Sequence, residues 1–277
     1  MKAPCAAALL LVSFAAQADP ELVSALNAAR ARGCGGQPGL ARVFVGEPSL
    51  DAAARLLAQS VQAGDAIARS GYRAVKWALV SMSGAVGAGA IAEQVSKGSC
   101  AHLSDEAFAE VGIHRRANQT WIVFAAPFAP PAPGDAAGVG RRVLELINQA
   151  RARARECGST HHAAAGPLKL NATLDRAAEI HSADMAGKGF FSHDGSDGSS
   201  VMVRATRVGY AGRAVGENIA AGQTTPEAAV EGWVKSPPHC ANLMNPVFTE
   251  MGIAYVVNPA SSMGIYWTQV FGRPLKP

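Results

Sequence analysis

Residues 26 to 127 and 147 to 271 carry the same markers in the same order. Leu26-Asn27-Ala28-Ala29-Arg30 followed by Cys34-Gly35 answers to Ile147-Asn148-Gln149-Ala150-Arg151 followed by Cys157-Gly158, with two extra residues in the second copy. Ser49-Leu50-Asp51-Ala52-Ala53-Ala54 answers to Thr173-Leu174-Asp175-Arg176-Ala177-Ala178, each read as an N-cap hydroxyl opening an amphipathic helix. Gly71-Tyr72 answers to Gly209-Tyr210. Cys100-Ala101 with Phe108, Glu110, Gly112 and Ile113 answers to Cys240-Ala241 with Phe248, Glu250, Gly252 and Ile253. Trp121 and Trp267 are expected in register on the final strands. Chance similarity of alanine-rich helices would not reproduce ordered cysteines, so the chain is expected to build one fold twice. The segment from Phe128 to Asp135 has the composition of a stiff linker. The expected layout is a first domain at 19–127, a linker at 128–139 and a second domain at 140–277.

Duplication also selects a cysteine pairing, one bridge inside each copy: Cys34 with Cys100 and Cys157 with Cys240. Each closes a loop of roughly 65 to 85 residues, worth about 4 kcal/mol in the chain-entropy account. Bridges of this kind need an oxidising compartment. The N-terminus agrees: Lys2, an apolar run from Ala6 to Ala16 and Ala16-Gln17-Ala18 read as a signal peptide over residues 1–18, too short to span a membrane. Cys5 precedes the apolar run, against a lipoprotein anchor. A secreted or periplasmic protein without a membrane span is expected. The net charge of +4, with no arginine cluster and no interleaved basic and aromatic residues, argues against nucleic acid as a partner.

Within the second copy, Val143, Leu144 and Ile147 give a helix over 139–155, and Leu174, Ala177, Ala178 and His181 share a face of a second helix over 173–187. Pro226 to Val234, capped by Thr225, makes a third. Alternation over 251–257 and 264–271 predicts a hairpin of two strands.

Six ordered motifs give these residues a family likeness: Ala178-Glu179-Ile180-His181-Ser182-Ala183-Asp184-Met185, Phe190-Phe191-Ser192-His193, Gly216-Glu217-Asn218-Ile219-Ala220, Gly232-Trp233-Val234-Lys235-Ser236-Pro237-Pro238-His239, Asn242-Leu243-Met244 and Tyr266-Trp267-Thr268-Gln269-Val270-Phe271. Over residues 140 to 273 the chain resembles the CAP superfamily of cysteine-rich secretory, venom-allergen and pathogenesis-related proteins, above all its prokaryotic branch. The resemblance implies an α/β (α+β) fold, a three-layer α/β/α sandwich around a mostly antiparallel sheet. Eukaryotic members share a cleft tetrad of two histidines and two glutamates that can hold a divalent ion. His193 and Glu217 match its first histidine and first glutamate. The other two positions hold Ser236 and Tyr266, while His239 stands in the prokaryotic-type turn. The resemblance therefore implies a site of His193, His239 and Glu217, suited to zinc with a water completing a tetrahedron.

Each polar residue has a plainer reading beside this one. His181 either adds an imidazole or packs on its helix's core face, and packing is favoured. Asn218 either meets a ligand or holds backbone, and Gln269 either reaches the cleft or bridges the sheet. Asn242 is expected to fix the turn bearing His239. Ser236, followed by proline, is first a helix terminator; the other reading is a nucleophile beside His239, against which no strand-Ser-helix elbow surrounds it. His161 and His162 read as exposed loop residues. Aligning the copies puts Leu57 in place of His181 and Ser99 in place of His239, removes the stretch from Phe190 to Ser200, and leaves Lys76-Trp77-Ala78 near the glutamate's place. The first copy thus keeps the framework and loses the chemistry, which fits a unit that packs on the other copy, binds a partner or shields it. Function is expected to be an exported binding protein whose cleft takes a divalent metal and a lipid, peptide or glycan ligand of the envelope. The alternatives are a hydrolase of envelope peptide or glycan using Glu217, His193 and His239, and a protein-interaction module. The chain has no His-Glu-x-x-His or nucleophile motif.

Overall fold

The computed structural model describes residues 19–275, so the expected signal sequence at 1–18 lies outside the described residues. Contacts divide the chain after Phe128. In the first unit, Asp19 caps α1 (Pro20–Arg32) by accepting from the Leu22 N–H, with proline at the first helical position. The unit continues with β1 (Val45–Gly46), α2 (Pro48–Leu57), α3 (Ala63–Arg69), β2 (Ala74–Ser83), α4 (Ala88–Gly98), the single turn α5 (Cys100–Leu103), β3 (Glu110–Arg116) and β4 (Gln119–Pro127). The strands order β1-β3-β4-β2, with β1 parallel to β3 and the other pairs antiparallel. Period-two alternation splits the core between the sheet's two faces. Val111, Ile122 and Phe124 pack with Leu22 and Leu26 of α1 and Ile91 and Val95 of α4. Val123 and Ala125 pack with Leu50, Ala53 and Ile67 of α2 and α3.

The second unit has α6 (Ala136–Arg151), the short strands β5 (Arg155–Cys157), β6 (Thr160–His162) and β7 (Lys169–Leu170), then α7 (Ala172–Lys188) and α8 (Val201–Arg207). It ends with β8 (Gly212–Ala221), α9 (Pro226–Lys235), α10 (Pro237–Met244), β9 (Glu250–Val257) and β10 (Ile265–Pro274). Its sheet runs β7-β9-β10-β8, again with one short parallel edge. Leu174, Ala177, Ala178 and Ala205 of α7 and α8 cover the face bearing Val270. On the other face, buried Trp233 of α9 donates its indole N–H to the Ile219 carbonyl, and Gly140 of α6 lies against Ile253. The unit is the expected three-layer α/β/α sandwich.

Four polar anchors recur in both units. The Asn27 side chain exchanges two hydrogen bonds with Phe44 backbone, as Asn148 does with Leu168. Arg30 donates to the carbonyls of Asp105 and Phe108, and Arg151 to those of Asn245 and Phe248. Asp51 accepts from the Ile113 N–H and Asp175 from the Ile253 N–H. Tyr72 donates to Glu110 and Tyr210 to Glu250. Burial pushes the Asp51 and Asp175 carboxyls above the ordinary range, and each is held by that one backbone donor. Both expected disulfides are present, Cys34–Cys100 and Cys157–Cys240.

Several boundaries differ from expectation, each for a local reason. The N-caps are Glu47 and Asn171, two residues ahead of Ser49 and Thr173, because their longer side chains accept the N–H groups of those two residues. Helix α6 starts at Ala136, so 136–139 are helical rather than linker, and it ends at Arg151. Residues 155–162 form a hairpin turning at Gly158, whose φ of 66° favours glycine. The tryptophans are out of register by one. Gly112 faces Val123 and Gly252 faces Val270, which puts Trp121 at the place of Thr268 and Thr120 at that of Trp267. A one-residue slip changes face: Trp121 packs with the α2 cluster, whereas Trp267 stacks near Tyr255 and donates to the Gln223 carbonyl.

Candidate functional site

Period-two geometry sends neighbours Glu217 and Asn218 of β8 to opposite faces, and the site is built around that pair. Glu217, opposite Val270 in the sheet, turns toward α7 and α8 and is 5% exposed. The loop after α7 returns His193 to it: Nδ1–H donates to Glu217 Oε1 at 2.9 Å, leaving the ring itself half-exposed. Arg204 of α8 donates Nη2–H to Glu217 Oε2 at 2.6 Å and is itself buried. Its guanidinium also binds the carbonyls of Ser199 and His193, fixing the loop at both ends. His181 is fully buried and donates Nε2–H to the Ser192 carbonyl at 2.9 Å, so its Nδ1 is the unprotonated atom and has no partner. His181 thus packs, as favoured from sequence, and holds the peptide preceding His193.

On the other face, the Asn218 amide donates to the His239 carbonyl and to Gln269 Oε1. Asn242 donates to the Glu217 carbonyl and to Asn218 Oδ1, which ties the turn of α10 to the strand bearing the carboxylate. Asn218 and Gln269 are fully buried, so they hold backbone and bridge the sheet rather than meet a ligand. Tyr266 is also buried, packed with Met185 and Ile219, and is core rather than cleft. Ser236 closes α9 and is the N-cap residue of α10, where its backbone carbonyl accepts from the Cys240 N–H and its hydroxyl makes no capping hydrogen bond. His161 is exposed and pairs with Glu156 on the β5–β6 hairpin.

His193 and His239 face each other with ring centroids 6.4 Å apart. Their proton affinities are driven in opposite directions. The hydrogen bond to Glu217 raises His193 above an ordinary histidine against an opposing burial effect. Burial, then the charge of His193, lowers His239. Burial lowers His181, the nearby carboxylate notwithstanding.

The trio does not fit the zinc expectation. Both carboxylate oxygens of Glu217 are engaged, one by an imidazole and one by a guanidinium whose fixed positive charge neutralises it. Among the described residues no group of three or more His, Cys, Asp or Glu is placed to hold a metal ion. Arg204 is the residue that sequence reading missed. It shares a helix face with Val201, Ala205 and Val208; an arginine on an apolar face signals a buried carboxylate to be answered.

The register of the first unit sharpens the contrast between the two units. Leu79 lies opposite Val123 as Glu217 lies opposite Val270, so leucine, three residues on from Lys76, occupies the carboxylate's place.

Residues 144–271 match the family model of the cysteine-rich secretory protein family, CAP. The second unit is a CAP domain. In sequence this CAP domain is similar to protein YkwD of Bacillus subtilis (strain 168), at 34% identity over 140 residues, 50% of this chain and 49% of that protein. The chain therefore spans about half the length of this curated relative. Solved structures similar to it include an extracellular protein containing an SCP domain from Bacillus anthracis str. Ames, at 22% identity and TM-score 0.43, covering 59% of this chain and 56% of that one. Another is an outer surface protein from Borrelia burgdorferi, at 18% identity and TM-score 0.39, covering 49% of this chain and 89% of that one. No helix among the described residues is long and apolar enough to cross a membrane.

Proposed function

We propose that this chain is an exported binding protein whose CAP cleft takes a small ligand through anionic or carbonyl oxygens, with His193 and His239 as the contacting groups. The observation that carries the reading is the commitment of Glu217: Arg204 balances its charge, so the proton that the Glu217 bond favours on His193 sets a positive ring opposite His239. A free carboxylate of an envelope peptide has the matching chemistry. Export is supported by the N-terminal segment and by two disulfides, which persist outside reducing compartments. The first unit is inferred to be a degenerate copy kept as a framework, with Leu57, Leu79 and Ser99 where the cleft carries His181, Glu217 and His239.

The test compares an N-acetylated dipeptide with a free carboxylate against its carboxamide, by shifts of the His193 and His239 ring resonances. Binding of the acid that tightens as pH falls through the His193 titration, and is lost in His193→Ala, is expected. Equal binding of the amide, or no dependence on pH, would remove the reading. A hydrolase is the second reading, favoured by the opposed proton affinities of the two facing histidines, an arrangement suited to paired acid and base. It requires turnover of purified envelope material that Glu217→Gln abolishes. Metal analysis of protein purified without chelator is expected to find no stoichiometric zinc, because a guanidinium occupies the carboxylate.

A further inference from the structure

Away from the His193 cleft, the sheet of the CAP domain has an unfinished edge. Strand β7 pairs with β9 at only two positions, Lys169 with Glu250 and Leu170 with Met251, before the chain turns into α7. Beyond Met251 the outer side of β9 has no neighbouring strand among the described residues. The alternation of bonds identifies which groups point there. Lys169 N–H donates to the Thr249 carbonyl and Asn171 N–H to that of Met251, while Ile253 N–H donates outward to Asp175. Odd-numbered residues of β9 therefore face the edge. Asn258, an even position, pairs with Gly264 across the hairpin, as this parity requires. The outward Tyr255 N–H and C=O and the Val257 N–H have no partner among the described residues, and both residues are partly exposed.

A groove of about 720 Å³ runs along this edge, between the first turns of α6 and α7. Ala136, Ala137, Val139 and Ala172 give its walls a small, apolar surface that leaves room for an added strand and its side chains. On its rim Arg176 is answered by Glu179, whereas Arg141 has no ion-pair partner among the described residues. We propose that this edge receives an extended peptide as a further strand beside β9, with apolar side chains at alternate positions and an acidic group reaching Arg141. Unpaired donors and acceptors at two-residue spacing specify a peptide backbone, which an acyl chain cannot satisfy. At about 3.3 Å per residue, the stretch from Ile253 to Val257 accommodates roughly five residues.

The probes are hexapeptides alternating Val, Leu or Phe with Thr and ending in Asp, each paired with a copy N-methylated at alternate amides. With the full chain, the parent peptides are expected to slow exchange of the Tyr255 and Val257 amides at least tenfold, and the N-methylated copies to leave it unchanged. Val257→Pro removes an outward N–H without touching the β9–β10 ladder and is expected to weaken binding at least tenfold. Because that variant risks perturbing the hairpin, the N-methylated peptides carry the decision independently. Equal protection by parent and N-methylated peptides, or none by any parent, overturns the proposal. So does a fatty acid that shifts the Val139 and Ile253 methyls while every peptide leaves the two amides exchanging freely. His193→Ala, which removes the cleft histidine, should leave this binding intact, so failure here and failure of the cleft reading are separable.

Discussion

A carboxylate buried to 5% exposure and answered by a guanidinium depends on that partner for its place in the fold. Removing the guanidinium leaves the buried carboxylate with the half-exposed His193 ring as its remaining charged partner, so Arg204→Met should destabilise the CAP domain by about 3 kcal/mol. Arg204→Met combined with Glu217→Gln should recover much of the loss. Exchange of the Trp233 and Trp267 indole protons, both donors inside this unit, reads the difference. His193 should titrate above an ordinary histidine and fall back in Glu217→Gln, as ring resonances followed against pH will show. The sign for stability follows: His193 contributes fully below about pH 6.5 and loses its contribution as pH rises through its folded value. His181 and His239 act oppositely, since their lowered affinities mean that the unfolded chain takes up more protons as pH falls below about 6.5. His193, Glu217, His239 and Asn242 were legible because each lies in a short motif whose neighbours fix local geometry. Arg204 was not, because its partner lies 13 residues away on another element, and the zinc expectation left it out for that same reason.

Elements were legible where periodicity set them and less so where a side chain reached across. Both N-caps fell two residues early because Glu47 and Asn171 bond N–H groups that a scan for Ser and Thr assigns to the cap itself. Strand faces required the ladder, since composition cannot distinguish Trp121 from Trp267 at a one-residue slip. Glycines illustrate the same dependence on neighbours. A Cβ on Gly252 would lie 2.1 Å from the Leu174 backbone carbon, where α7 crosses β9, so Gly252→Ala should force the layers apart and sharply lower the melting temperature. Gly187, near the end of α7, meets nothing within 4 Å, and Gly187→Ala should stabilise by roughly 0.5–1 kcal/mol. Calorimetry on the two variants separates a glycine required by close approach from one that is only tolerated.

At the scale of the whole molecule, the ordered markers shared by the two halves of the sequence fall on the same strand order and the same polar anchors in each unit, down to the Tyr72–Glu110 and Tyr210–Glu250 bonds. Opening the first unit's bridge with Cys34→Ser and Cys100→Ser should cost that unit about 4 kcal/mol in the chain-entropy account. The His193 resonance should not move, because no cleft residue belongs to that unit. The second bridge has a different reach. Cys157–Cys240 fastens the β5–β6 hairpin to α10, an eight-residue helix that also carries His239 and Asn242. A helix that short does not persist unaided in water. Reduction should therefore release the turn that ties Asn242 to Glu217, and the His239 resonance should broaden in reductant while the sheet amides stay protected. The cleft is in this sense latent while its cysteines are reduced: the residues are already in the chain, and the seating of His239 and Asn242 waits on a covalent bond between side chains 83 positions apart.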